Sequence, residues 1–250
     1  MRTQLHRALS KLGFCSRAQA VPLIKEGKVR VNGSVATGPL VWVDMESDKI
    51  TIQGGVATKD AIVGKREGSP MMNLNPPKKV YFALHKPKGY VTTREDEQAK
   101  KTIYDLLPAA LSDQWLFPVG RLDKESEGLL LLTNDGPWSQ KLLDPSSHVE
   151  KEYLVWLDKE LVEYDRKQLE KGVLLSGEMT LPCVIRKHDA RSWSIILHEG
   201  RNRQIRNMFA FFEYKVVRLV RIRVGALELG RLEEGKVVAI KPEQVVRHVK

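Results

Sequence analysis

Leu5, Ala8, Leu9 and Leu12 recur at helical spacing, and Gly13 ends the run, so the chain is expected to open on a short amphipathic helix. Ser16 followed by Gln19 has the form of a capping box, and Ala20, Leu23 and Ile24 give the buried face of a second helix that Gly27 ends. Pro22 inside that helix removes a backbone donor and predicts a kink. Lys28-Val29-Arg30-Val31 alternates as a strand, Asn32-Gly33 is a strong hairpin turn, and Asp48 to Ile52 reads as a closing strand. Farther along, Val80 to Leu84, Leu129 to Leu132, Tyr153 to Leu157 and Ser192 to Leu197 read as strands, and Leu161 to Leu169 as a helix. Asn202 is placed to cap a helix whose apolar face is Ile205, Met208, Phe209 and Phe212. Val220, Ile222 and Val224 alternate with Arg221 and Arg223, which predicts a strand with a basic face.

Between these regions, Gly54, Gly55, Gly64, Gly68, Pro70, Pro76 and Pro77 punctuate a stretch with no periodicity, the pattern of a linker. The chain therefore divides into a small N-terminal α/β module over residues 1–54, a linker over 55–78 and a larger domain over 79–250. Strands separated by irregular segments, without a strict βαβ rhythm, make that larger domain α+β, with a mixed and mostly antiparallel sheet. At roughly 150 residues per domain, 250 residues agree with one or two domains. A composition 42% hydrophobic and 29% charged excludes wholesale disorder. No apolar run approaches the ~18 residues of a membrane span, and Met1 to Ser10 lacks the apolar core of a secretory signal. The two distant cysteines, Cys15 and Cys183, make neither a disulfide framework nor a zinc site, which points to a reducing cytoplasm.

The net charge of +10 is not spread evenly. Residues 1–33 hold seven basic groups against one acid, and residues 200–223 again hold seven against one, so each segment is +6 and the rest of the chain sums to −2. Two separated basic clusters on a near-neutral chain point to a polyanion, and nucleic acid is the natural one.

Few motifs suggest chemistry. Gly230 to Val237 nearly matches a phosphate-binding loop, but it lacks the final Ser or Thr and carries Glu233 and Glu234, so it reads as a turn before a strand. The six histidines show no ligand spacing. Gly120 to Gly128 is different: a polar loop feeding directly into the Leu129 to Leu132 strand, a rigid place to mount a functional carboxylate. The pattern alone does not choose among Asp123, Glu125 and Glu127.

Gly120-Arg121-Leu122-Asp123 with Ser126 to Gly136 resembles the catalytic signature of the bacterial ribosomal RNA pseudouridine synthases. Lys86-Pro87-Lys88-Gly89-Tyr90, Lys151-Glu152-Tyr153, Glu199 to Arg206, and Arg218-Leu219 to Gly225 resemble that family's other motifs, in the family's order. Ser16-Arg17, Leu23-Ile24 and Gly27 to Gly33 are similar to the S-four-type (alpha-L) RNA-binding module. Asn207 departs from the pattern, standing where a second basic residue is common.

The resemblance implies the pseudouridine synthase fold and isomerisation of uridine to pseudouridine in ribosomal RNA, more in keeping with the large-subunit than the small-subunit branch. It implies no cofactor and no metal. It makes Asp123 the catalytic carboxylate, as nucleophile or as charge stabiliser and proton acceptor. Arg206 is implied as its partner, and Tyr153 as the residue stacked on the target base. Leu219 is expected to press on that base from the other side. Arg121 and Lys86 are expected to hold phosphates, Arg201, Arg203, Arg221 and Arg223 to guide RNA, and Arg17, Lys28 and Arg30 to grip it in the N-terminal module. The expected partner is ribosomal RNA or an assembling ribosomal subunit, met by a monomeric cytoplasmic protein with no membrane attachment. A noncatalytic RNA-binding or ribosome-assembly factor is the alternative, since it needs both basic clusters but not Asp123. A metal-dependent nuclease is a further rival; it would need clustered acidic ligands.

Overall fold

The computed structural model describes residues 2–12, 14–52, 78–93, 101–112 and 114–246. They divide into two compact units: one from Met1–Val80, Pro108–Phe117 and Thr133–Ser139, the other from Tyr81–Leu107, Pro118–Leu132 and Gln140–Lys250. The linker expected over 55–78 lies, save its last residue, outside the described residues.

In the first unit, β1 (Arg2–Gln4) leads straight into α1 (Leu5–Lys11), and α2 (Arg17–Lys25) follows. The capping box forms: Gln19 N donates to Ser16 Oγ at 3.1 Å, and Ser16 N donates to Gln19 Oε1 at 3.0 Å. The helix runs on through Pro22 to Lys25. The carbonyl that Pro22 leaves without its helical donor is that of Ala18, an exposed residue, so the loss falls at the surface rather than in the core. β2 (Val29–Val31) and β3 (Ser34–Val35) are joined by Asn32-Gly33, whose φ of +51° and +85° suit the twist of a tight hairpin. β4 (Trp42–Asp44) pairs with β1, and β5 (Ile50–Ile52) pairs with β2. Leu5, Leu9, Ala20, Ile24 and Val29 fill the core between helices and strands.

From Tyr81 on, the elements are β6 (Tyr81–Lys86), α3 (Ala109–Ser112), β7 (Phe117–Pro118), β8 (Glu127–Thr133), α4 (Gly136–Leu143), β9 (Lys151–Leu157) and α5 (Glu163–Lys171). They continue with β10 (Leu174–Leu175), β11 (Glu178–Met179), β12 (Val184–Lys187), β13 (Ser192–Leu197), α6 (Gln204–Phe211), β14 (Val216–Val224), β15 (Leu227–Glu228) and β16 (Val237–Ala239). One nine-stranded sheet runs β12-β13-β9-β14-β8-β6-β16, with β15 on β14 and β7 on β8. β14 runs parallel to β8, whereas β12 with β13, β13 with β9, β9 with β14, and β6 with β16 are antiparallel. The class is mixed α+β, as the sequence suggests.

β8 is buried along its whole length. A strand covered on both faces reads as an unbroken apolar run, the form Leu129 to Leu132 take in the sequence. Each such leucine stabilises the fold by about 1.5–3 kcal/mol. β9 instead alternates, with Tyr153, Val155 and Leu157 turned to the core. Gly128 stands where β8 and β14 meet, with φ +107°; a Cβ there would lie 2.2 Å from the Arg221 carbonyl oxygen. Only glycine fits at that position.

Two expectations are corrected. The residue that caps α6 is Arg203, at φ +49° and without a side-chain cap bond; Asn202 offers only its carbonyl, to Asn207 Nδ2 at 3.3 Å. β14 does not present a basic outer face. Register shifts between Val216 and Arg218, and between Arg221 and Arg223, break its alternation. Arg221 is left 4% exposed, and Arg223 is tied to Glu150 and Glu152 at 2.9 and 2.8 Å.

Candidate active site

Of the three carboxylates that the sequence leaves open, the structure singles out one. Glu125 is exposed and faces Lys88 at 3.4 Å. Glu127 is buried in an ion pair with Arg218 at 2.8 Å, and Arg218 in turn stacks on Trp156 at 4.9 Å. Asp123 alone of the three lines a cavity of about 270 Å³. That is close to the lower end of the ~300–1,000 Å³ typical of small-ligand sites, a size for one nucleoside rather than a longer segment.

Leu219 lies opposite Val155 on adjacent antiparallel strands, so it shares a sheet face with Tyr153, two residues along β9. The two side chains form one floor of the cavity. The walls are the 120–126 loop and the Gly200–Arg206 segment that enters α6. The Tyr153 phenol lines the cavity and, among the described residues, has no hydrogen-bond partner.

The Asp123 loop is held along its backbone. The Leu122 carbonyl accepts from Thr92 Oγ1 at 2.7 Å, and the Lys124 carbonyl accepts from Gly89 N at 2.7 Å. The Asp123 carbonyl accepts from Lys86 Nζ at 3.1 Å and from Ser126 N at 3.0 Å. The Glu125 carbonyl accepts from Arg206 Nη2 at 3.0 Å, and the Ser126 carbonyl from Lys86 Nζ at 2.8 Å. Every carbonyl from Leu122 to Ser126 thus has a donor. A reactive group held this way keeps its geometry at no cost at the moment of reaction.

Lys86 is therefore not a phosphate contact. It is 0% exposed, and its ammonium also donates to the Pro87 carbonyl at 2.9 Å, so all three of its protons have partners. Burial pulls its pKa from 10.5 down to about 8, against the opposing pull of Asp123, Glu127 and Glu125. Arg221 is likewise withdrawn from RNA: its Nε donates to the Leu129 carbonyl at 2.7 Å, and its buried Nη2 has no partner among the described residues. Arg201 lines the cavity, but its guanidinium spans Glu199 Oε2 at 3.0 Å and the carbonyls of Glu178 and Met179 at 3.2 and 2.6 Å. Glu199 also accepts from Gln204 Nε2 and Leu181 N, so this network shapes the second wall.

Arg206 does line the cavity, yet among the described residues the cation within 4.0 Å of Asp123 is Arg203, at 3.7 Å. Arg206 bridges the carbonyls of Glu125 and Val216, at 3.0 and 2.9 Å, and its buried Nε is unpartnered among the described residues. Burial and then Arg203 push the Arg206 pKa down, while Asp123 and Glu125 push it up. Arg121 is exposed at the cavity rim without a partner among the described residues. In the N-terminal unit Arg17 is exposed, Lys28 pairs with Glu26 at 2.6 Å, and Arg30 Nη1 donates to the Gly33 carbonyl at 3.0 Å. Among the described residues no group of three or more His, Cys, Asp or Glu is placed to hold a metal ion.

Residues 80–211 match the RNA pseudouridylate synthase family, and residues 4–39 match the S4 domain. The chain belongs to the RNA pseudouridylate synthase family. The synthase is 33% identical over 254 aligned residues to ribosomal large subunit pseudouridine synthase B of Bacillus subtilis (strain 168), covering 98% of this chain and 94% of that protein. It is 33% identical to the dual-specificity RNA pseudouridine synthase RluF of Salmonella typhi, over 94% of this chain and 74% of that one. A solved crystal structure of a pseudouridylate synthase superimposes with a TM-score of 0.66 at 28% identity, covering 97% of both chains. Family and fold together favour the enzyme over a noncatalytic RNA-binding factor.

Proposed function

We propose that this synthase isomerises a specific uridine in ribosomal RNA, in the large rather than the small subunit, with Asp123 as its catalytic carboxylate. The observation that carries the proposal is Asp123 itself: a 34% exposed carboxylate on a fully tethered loop, at the edge of a nucleoside-sized cavity floored by Tyr153 and Leu219. The B. subtilis relative's name supports the large-subunit branch.

The target uridine must leave its stack to reach that cavity. Flipping costs a few kcal/mol, least for a loosely paired nucleotide. Arg121, unpartnered at the rim, meets the RNA backbone there. Asp123 acts on the flipped uridine as the glycosidic bond breaks. The base turns over the Tyr153 and Leu219 floor and rejoins the sugar through a ring carbon. That carbon loses a proton and the freed ring nitrogen gains one, so the reaction is redox-neutral and calls for no cofactor. Arg206, set in the same wall, supports the charge at Asp123. Residues 1–54 form the RNA-binding module, joined by a 55–78 linker to the 79–250 catalytic domain. Arg17 makes a phosphate contact; Lys28 and Arg30 add charge from within local pairs. Two modest sites linked this way bind far more tightly than either alone. Among the described residues no helix is long and apolar enough to cross a membrane. The enzyme works as a cytoplasmic monomer on ribosomal RNA or the assembling subunit. Mapping pseudouridines across total ribosomal RNA from cells with and without the gene tests this: one large-subunit site should disappear. An unchanged map would overturn it.

A further inference from the structure

Asp123 carries an ion pair with Arg203, which enters the site from the residue before α6, at 3.7 Å. Arg203 is 48% exposed on its side chain and belongs to no other ion pair or side-chain hydrogen bond among the described residues. Its left-handed backbone, φ +49°, belongs to a minority of non-glycine residues. Arg206, by contrast, is fixed on two carbonyls. One cation at the carboxylate is therefore anchored and the other is loose.

We propose that Arg203 is an exchangeable counter-ion: it pairs with Asp123 in the RNA-free enzyme and passes to a backbone phosphate of the substrate when the target nucleotide enters. The proposal rests on Asp123 being the catalytic carboxylate. Three observations carry it. The pair is long and half open to solvent, so a phosphate, which accepts an arginine fork with two parallel bonds, competes well for it. Arg203 lines the same cavity that the nucleotide must fill, so its place at the carboxylate is the nucleotide's place. Arg203 and Arg206 repel one another across the wall, and transfer of Arg203 to a phosphate relieves that repulsion. The charged and titratable groups that line the cavity with Asp123 are Arg201, Arg203 and Arg206 from the α6 side, Tyr153 from β9 and Arg121 on its own loop, and Lys86 of β6 acts on it from beneath the loop. Of these, Arg203 alone makes an ion pair with it within 4.0 Å. Arg203 is a positioning residue, not one that touches the reacting atoms.

The experiment compares the wild type with Arg203→Asn, which tolerates the left-handed backbone, and Arg203→Lys, which keeps the charge. Rates on a ribosomal RNA transcript are followed against salt. For Arg203→Asn, the slope of log(kcat/KM) against log[salt] should become shallower by about 0.7–0.9, one phosphate contact. The loss in kcat/KM should fall on KM rather than kcat, because in the complex Arg203 has already left Asp123. Arg203→Lys should restore the slope. If kcat falls as far as kcat/KM, Arg203 never leaves Asp123; if the slope is unchanged, it is not the exchanging group. Each of these results overturns the proposal. A wild-type protein that forms no pseudouridine defeats the functional reading instead, and is distinguished by that control.

Discussion

Lys86 offers a severe test of how the site is held, because its two energetic effects nearly cancel in stability but not in rate. In Lys86→Met the chain loses the donors to the Pro87, Asp123 and Ser126 carbonyls. Asp123 O keeps Ser126 N, so the Pro87 and Ser126 carbonyls are the two left without a donor, at about 1–3 kcal/mol each. Against that, the native ammonium is held charged at neutral pH although burial has drawn its pKa from 10.5 to about 8, a penalty of about 3 kcal/mol that methionine removes. The net change in stability is therefore within about 3 kcal/mol of zero. The rate has no such compensation. Loosening the Asp123 carbonyl and freeing the Ser126 carbonyl lets the Asp123 carboxylate wander, and a misplacement of about 1 Å costs about 100-fold. Urea unfolding paired with single-turnover kinetics on a ribosomal RNA transcript separates the two. The expected result is a folded variant with kcat down about 100-fold and KM little changed. A variant equally folded with kcat within threefold of the wild type would refute the clamp.

The same lysine predicts a pH effect of definite sign. Between about pH 8 and 10.5 the unfolded chain binds the Lys86 proton and the folded chain does not, so stability contributed at this site rises with pH across that window. Wild type should gain about 3 kcal/mol over Lys86→Met between those limits, read from paired unfolding curves; a flat difference refutes the buried ammonium. Gly128→Ala puts a Cβ 2.2 Å from the Arg221 carbonyl at a φ of +107°, and should cost more than the ~1–3 kcal/mol of ordinary overpacking, measured by denaturant midpoint. Arg17→Ala should make the salt dependence of RNA binding shallower by about one phosphate, whereas Lys28→Ala, already paired with Glu26, should change it less. Equal effects would argue against that reading of the N-terminal cluster.

The sequence carries more of the fold than of the site. Ser16 and Gln19, Asn32-Gly33 and the Leu129–Leu132 run all encode local or one-dimensional rules, and the structure obeys them. β1, β4 and the β10–β11 hairpin are two or three residues long, too short to show a period of two. Arg221 escapes the pattern for a related reason: alternation assumes a regular strand, and β14 has two register shifts. Lys86 shows the limit for function. A lysine in a polar loop motif reads as a phosphate contact, and only the packing of β6 beside the Asp123 loop shows that its protons are already committed. The choice among Asp123, Glu125 and Glu127 also depends on which carboxylate faces the cavity, and no spacing in the chain states that. Glu199 does carry a signal, as the one acid at the head of a basic motif: a buried acid there needs cationic and amide partners, and it has Arg201 and Gln204.

The central claim is that the carboxylate at position 123 does the chemistry. Asp123→Asn keeps the size of the side chain and, because the loop is tethered through its backbone, leaves the fold and RNA affinity in place. Pseudouridine formed on a ribosomal RNA transcript by wild type and variant is the direct measurement. The account predicts normal binding with no detectable product from the variant, and a variant that modifies RNA at the wild-type rate would contradict it.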